Sequence, residues 1–145
     1  MNPSNALEVR AVGLAEIEAL LPLAMTLNPH LSKEVLQERF EALFEQSSYH
    51  CFGLFEEDTL IGMAGAWLNV RLYSGWQVEI DNVIVAEKSR SGGKGQYFLH
   101  WLEAWAKAQG CQTLELNTYV QNSRSHKFYF QNGYVILGYH FQKKL

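Results

Sequence analysis

A β-branched run, Glu79-Ile-Asp-Asn-Val-Ile-Val85, leads through Arg90-Ser-Gly-Gly93-Lys-Gly95 into a helix-periodic stretch from about Gln96 to Gln109. A strand feeding a glycine-rich turn that opens a helix commits this part of the chain to a crossover unit, in which the next strand lies parallel to the first. Such a turn leaves backbone N–H groups without helical acceptors at the positive end of the helix dipole. The result is an anion site suited to a phosphate or pyrophosphate. Gly93 and Gly95 keep Cβ atoms away, so a ligand can touch the main chain. Arg90 and Lys94 bring positive charge to the same place, and a phosphate-bearing cofactor is expected here.

The remaining elements fall into place around this unit. Leu7 to Val12 reads as a first strand. Ala15 to Leu27 is helix-like, with Pro22 expected to bend or break it. Ser32 can cap a second helix whose apolar stripe is Val35, Leu36, Phe40, Leu43 and Phe44. The period then changes to two: Tyr49 to Phe55 and Leu60 to Leu72 are strands joined across Glu56-Glu57-Asp58, and Ser74-Gly75 turns the chain into Trp76 to Val85. Gly110 closes the third helix. Thr113 to Val120 is a strand, Asn122 or Ser123 caps a short helix that stops at Asn132-Gly133, and Tyr134 to Phe141 is the last strand. The order β-α-α-β-β-β-α-β-α-β predicts an α/β fold with a mixed sheet and helices on both faces.

At 145 residues the chain reads as a single domain, 1–145, able to bury roughly two-thirds of its unfolded surface. A net charge of −3 argues against general nucleic-acid binding, which relies on a broad basic surface. The first residues lack the apolar core of a signal peptide. The longest uncharged apolar stretch, Leu60 to Leu68, is far short of a membrane span. Cys51 and Cys111 sit apart in apolar surroundings and read as reduced, packed thiols, so a cytoplasmic location without nucleic acid or membrane partners is expected. The histidines show no metal-ligand spacing, and no metal is expected.

Arg90-x-x-Gly93-x-Gly95, and after it Asn122-Ser-Arg-Ser-His-Lys-Phe128-Tyr129-Phe-Gln-Asn-Gly133-Tyr134, resemble the two signature blocks of the GNAT superfamily of acyl-CoA-dependent N-acetyltransferases. The resemblance runs from about Leu7 onward. A Walker loop would need Ser or Thr after Lys94, where Gly95 stands, and a dinucleotide fingerprint would need glycine where Phe98 stands. Glu87 replaces a common proline, and Ser125 a common alanine. Asn117 stands where ribosomal-protein acetyltransferases of this fold carry a catalytic Glu. The last third, with Asn117-Thr118 and the closing Tyr139-His-Phe-Gln-Lys-Lys-Leu, is similar to small bacterial aminoalkylphosphonate acetyltransferases.

The resemblance implies a GNAT-type fold and acetyl-CoA as cosubstrate. Val83, Ile84 and Val85 would offer backbone groups to the pantetheine arm. Arg90, Ser91, Gly92, Gly93, Lys94, Gly95 and Gln96 would hold the pyrophosphate, and Asn122 could reach the pantetheine amides or simply cap its helix. An alkyl amine has a pKa of about 10.4 and arrives as an unreactive ammonium. A carboxylate in a partly dry pocket attracts that cation and accepts its proton. Glu79 lies where histone-type members place their base. Asp81, two residues on, shares its strand face and becomes the base itself if a bulge shifts the register. Tyr129 would act as general acid toward the leaving thiolate. His30, Leu31, Trp67, Arg71, Tyr73 and Trp76 are candidates for the acceptor wall.

The expected activity is acetyl transfer to a primary amine by direct attack in a ternary complex, with a small cationic metabolite as acceptor ahead of protein. The alternative is a non-catalytic acyl-CoA-binding regulatory module on the same fold. A last strand left at a sheet edge could pair with a second chain as a homodimer.

Overall fold

The computed structural model describes residues 6–145. By contacts the chain falls into a larger unit ending at Glu115 and a smaller one, Leu116–Leu145. The larger unit begins with β1 (Leu7–Val12), a 3-10 turn (Leu14–Glu16), α1 (Ile17–Leu27) and α2 (Lys33–Phe44). It continues through β2 (Tyr49–Glu56), β3 (Thr59–Arg71) and β4 (Gly75–Val85) into α3 (Lys94–Ala108). The last strand of the sheet is β5 (Thr113–Leu116), and the strands lie in the order β1-β2-β3-β4-β5. β2, β3 and β4 form an antiparallel meander through two short hairpin turns, and β1, separated from β2 by α1 and α2, pairs with β2 antiparallel as well.

Alternation along β2 explains why the sheet is covered on both faces. Tyr49 and Cys51 face α1 and α2, in one buried cluster with Leu20, Leu21, Ala24, Leu36, Phe40 and Met63. Phe52 faces the other way, its ring centroid 4.9 Å from Trp101 and 4.8 Å from Trp105 of α3. Phe98, Leu99 and Leu102 complete that second layer, fully buried.

Local signals act where the sequence puts them. The Ser32 hydroxyl accepts the Val35 N–H at 3.2 Å at the start of α2. Ser32→Ala should cost about 1 kcal/mol of stability, the ordinary value of an N-cap, read from urea unfolding. Gly110, at φ 80°, ends α3.

Three expectations are corrected. α1 runs through Pro22, at its middle, as one continuous helix; the proline removes one internal hydrogen bond, and buried Leu20, Leu21, Leu23 and Ala24 on either side of it offset that cost. β5 stops at Leu116 instead of continuing to Val120. The expected last strand, Tyr134 to Phe141, does not form: 135–141 carry no regular structure, with Val135, Ile136, Leu137, Tyr139 and Phe141 exposed. High β-propensity describes side chains that fit a pleated, half-buried surface, and without a partner strand it makes no strand.

In the smaller unit the one helix is α4 (Ser123–Gln131), capped by the Asn122 side chain, which accepts the Ser125 N–H at 3.2 Å. No helix among the described residues is long and apolar enough to cross a membrane.

Candidate active site

β4 carries the site. The β3–β4 register pairs Gly65 with Asp81 but Met63 with Ile84, so β4 holds one extra residue between them. Asn82 absorbs it in the left-handed region, at φ 48°, as a β-bulge requires. Past the bulge, Ile84 turns inward among the α1 side chains and the strand ends at Val85. A groove of about 530 Å³ opens there, lined by Pro22, Leu23 and Thr26 of α1 and by Ile84, Ala86, Glu87 and Lys88. Its mostly apolar walls suit an extended, amide-bearing arm.

Next along the chain comes the glycine turn. Gly92 and Gly93 have φ of 71° and 74°, and Gly93 is the N-cap of α3 with no side chain closing the helix end. A Cβ at either would meet only open space, so the turn presents bare backbone outward. The first turn of α3 supplies N–H groups at Lys94 and Gly95 that helix geometry leaves without acceptors. These residues fit a pyrophosphate. Two of the expected cations are already engaged. The Lys94 ammonium is tied to Glu56 of β2 at 2.9 Å, both side chains mostly buried. Arg90 Nε donates to the Val85 carbonyl at 2.8 Å, which fastens the turn to the end of β4 and takes one of the backbone groups expected to face the arm. Ser91 and Gln96 flank the turn on the surface.

Glu79 and Asp81 lie on one face of β4, as alternation demands, but in different surroundings. Glu79 is partly exposed and pairs with Arg71 across the hairpin at 3.8 Å. Asp81 is set deeper. Its Oδ2 accepts the Trp67 indole N–H at 3.1 Å, while Oδ1 is buried without a hydrogen-bond partner. Burial holds the Asp81 carboxyl above the usual aspartate range, and contacts with the Trp67 and Asn82 side chains pull the other way. Opposite it, Gly65 makes room: a Cβ there would overlap Asp81 Oδ1 and stand 2.9 Å from Tyr49 Oη. The Tyr49 ring packs on Trp67, centroids 4.9 Å apart. Burial raises the Tyr49 phenol and pushes the Cys51 thiol up to about 12; both stay protonated at neutral pH.

In the smaller unit, Tyr129 sits between Phe128 and Tyr134, ring centroids 5.2 and 5.5 Å away. Burial pushes its phenol up to about 12, leaving it a proton donor at neutral pH. Asn122 serves as the α4 cap.

Sequence reasoning missed Tyr49 and Gly65, and weighed Trp67 only as acceptor wall. The signal was available: counting outward from the Ser74-Gly75 turn sets Trp67 opposite Glu79 and Gly65 opposite Asp81. Among the described residues, no group of three or more His, Cys, Asp or Glu could hold a metal ion.

Comparison with known proteins adds three findings. A family model, the acetyltransferase (GNAT) family, matches residues 17–134. In sequence, the chain is 28% identical over 123 residues to an uncharacterized N-acetyltransferase of Bacillus subtilis strain 168, YhdJ, covering 84% of this chain and 87% of the relative. It is 25% identical over 120 residues to the aminoalkylphosphonate N-acetyltransferase of Salmonella typhimurium strain LT2, covering 82% and 78%. In fold it is similar to the aminoglycoside N-acetyltransferase AAC(6')-Iy solved in complex with CoA, with a TM-score of 0.86, 16% identity, and coverage of 100% of this chain and 98% of that one.

Proposed function

This chain belongs to the GNAT acetyltransferase family, and from that premise we propose that it moves the acetyl group of acetyl-CoA to a primary amine on a small, charged metabolite. One strand carries the reading: β4 holds a buried carboxylate with an unbonded oxygen at Asp81 and runs into the open Gly92–Gly93 turn at the head of α3. Acetyl-CoA supplies the acetyl thioester. The turn and the first N–H groups of α3 would hold its pyrophosphate, and the groove beside Ile84 its pantetheine arm.

Asp81 is the proposed base. A carboxyl raised by burial is a better proton acceptor at neutral pH than an exposed one, and its Oδ1 has no hydrogen-bond partner within the chain. Glu79 with Arg71 forms a charged rim on the same face, suited to holding the rest of the acceptor. Similarity to the aminoalkylphosphonate enzyme widens the acceptor class to amines that also bear an anionic group, for which Arg71 is the cation at hand. Cys51, buried and protonated, offers no nucleophile, which favours direct attack of the amine over an acyl-enzyme. Tyr129 is the proposed proton donor to the departing sulfur. The whole chain, 1–145, would be one catalytic domain of the cytoplasm. A homodimer is included, since exposed Ile136, Leu137, Tyr139 and Phe141 offer an unpaired apolar segment to a second copy, a point that sedimentation decides.

Thiol release from acetyl-CoA across a panel of aminoalkylphosphonates, polyamines, amino acids and aminoglycosides tests the activity. Release in step with N-acetylated product is the expected result. Tight acetyl-CoA binding with no release across the panel would favour a non-catalytic CoA-binding module. With an acceptor in hand, Tyr129→Phe should lower turnover on the order of a hundredfold and leave acetyl-CoA affinity nearly intact. Equal turnover in that variant removes Tyr129 from the mechanism.

A further inference from the structure

We propose that Trp67 is a positioning residue that orients the Asp81 carboxyl through its indole N–H and thereby sets the pH range over which the enzyme works. The inference rests on the reading of Asp81 as the base. Three observations meet at this carboxyl. The Trp67 N–H donates to Oδ2 at 3.1 Å, so one oxygen is committed. Oδ1 lies over the bare Cα of Gly65, where it takes the space a Cβ would need, and that same position is 2.9 Å from Tyr49 Oη. That oxygen is buried and has no hydrogen-bond partner, a costly arrangement in a folded protein unless something outside the chain supplies the donor.

Trp67 is itself held. Tyr49 packs on its indole at 4.9 Å and Phe44 packs on Tyr49 at 6.0 Å. The aromatic stack links the carboxyl to α2 and leaves the indole little freedom to swing. Because β3 and β4 pair Trp67 with Glu79, the indole reaches Asp81 diagonally, across the strand and one step on, a distance long aromatic side chains can span.

The electrostatic surroundings make the indole bond the main adjustable contact. From β2 the carboxyl faces Tyr49 and Cys51, both protonated at neutral pH. Charged groups on this side of the sheet include Glu79 with Arg71, ion-paired to each other, and Glu16, which acts on Cys51. The apolar side chains Leu20, Leu21, Phe40 and Phe44 of α1 and α2 pack on this face. A donor to a carboxylate stabilises its charged form. Removing the Trp67 N–H should therefore raise the Asp81 pKa, and the acid limb of activity should move to higher pH.

The test is the pH profile of kcat/KM for Trp67→Phe beside the unaltered protein, with the Asp81 carboxyl followed in parallel by carbon-13 NMR in the absence of any cosubstrate. The expected result is an upward shift of about one pH unit in both the acid limb and the NMR titration, as loss of a charge-assisted hydrogen bond implies. Above the shifted limb, activity should return to within about threefold of the parent, since the base is then ionised in both proteins. A uniform loss at every pH, with limb and titration unmoved, overturns the inference. Should Trp67→Phe fail to fold, Trp67→benzothienylalanine replaces the N–H by sulfur and keeps the shape, with the same two outcomes. Asp81→Asn separates the two claims. If that variant keeps the parent's acid limb, the reading of Asp81 as base fails. If it loses the limb while Trp67→Phe leaves it in place, only the role of Trp67 fails.

Discussion

Asp81→Asn should lower kcat/KM at pH 7 by about a hundredfold or more, the ordinary contribution of a positioned general base, while acetyl-CoA binding stays within about twofold. The side chain keeps its shape, and only the proton acceptor is lost. An alkyl amine of pKa about 10.4 is neutral in only about one molecule in 2,500 at pH 7. The variant must wait for that fraction, so its rate should climb with pH and recover much of the deficit by pH 9. Glu79→Gln, which breaks the rim pair with Arg71, should instead raise the acceptor KM and leave the pH profile in place. Steady-state rates from pH 5.5 to 9 decide between the two carboxylates. Near-parental turnover in Asp81→Asn at pH 7 would remove the base assignment.

Gly93→Val should weaken acetyl-CoA at least tenfold. Gly93 stands at φ 74°, where an L side chain costs about 1–2 kcal/mol and a β-branched one more. Nothing of the protein lies within 4 Å of the position its Cβ would take. The added side chain therefore strains the backbone and fills the space in which a pyrophosphate would touch the Lys94 and Gly95 N–H groups. A penalty of 1–2 kcal/mol lowers Tm by only about 2–8 °C for a chain of this size, so the protein should stay folded. Calorimetric affinity and Tm, read together, give the answer. Unchanged affinity with reduced Tm would make the turn a mere connector between β4 and α3.

Both sites were partly legible in the sequence, for different reasons. The glycine turn is a local device: strand propensity, two glycines and a helix start lie within about twenty residues, and each acts through its own backbone. Caps at Ser32 and Asn122, and the Gly110 helix end, are local in the same way. The carboxylate site is not local. Alternation puts Glu79 and Asp81 on one face, but which is buried depends on Trp67, Gly65 and Tyr49, brought there by the pairing of three strands. The bulge at Asn82 announces itself by no residue type that alternation weighs. The ion pair of Lys94 was not legible, because its partner, Glu56, lies far away along the chain. The strand expected from Tyr134 to Phe141 failed for the same reason in reverse: its residues favour a pleated surface, and pairing is supplied only by another strand.

Isothermal calorimetry of the purified protein, stripped of copurified CoA, against acetyl-CoA tests the account most directly. Saturable one-to-one binding at micromolar affinity, weakened at least tenfold in Gly93→Val and kept in Asp81→Asn, is the predicted result. No detectable binding to the folded protein would contradict the pyrophosphate assignment at Ser91 to Gln96, and with it acetyl-CoA as the cosubstrate.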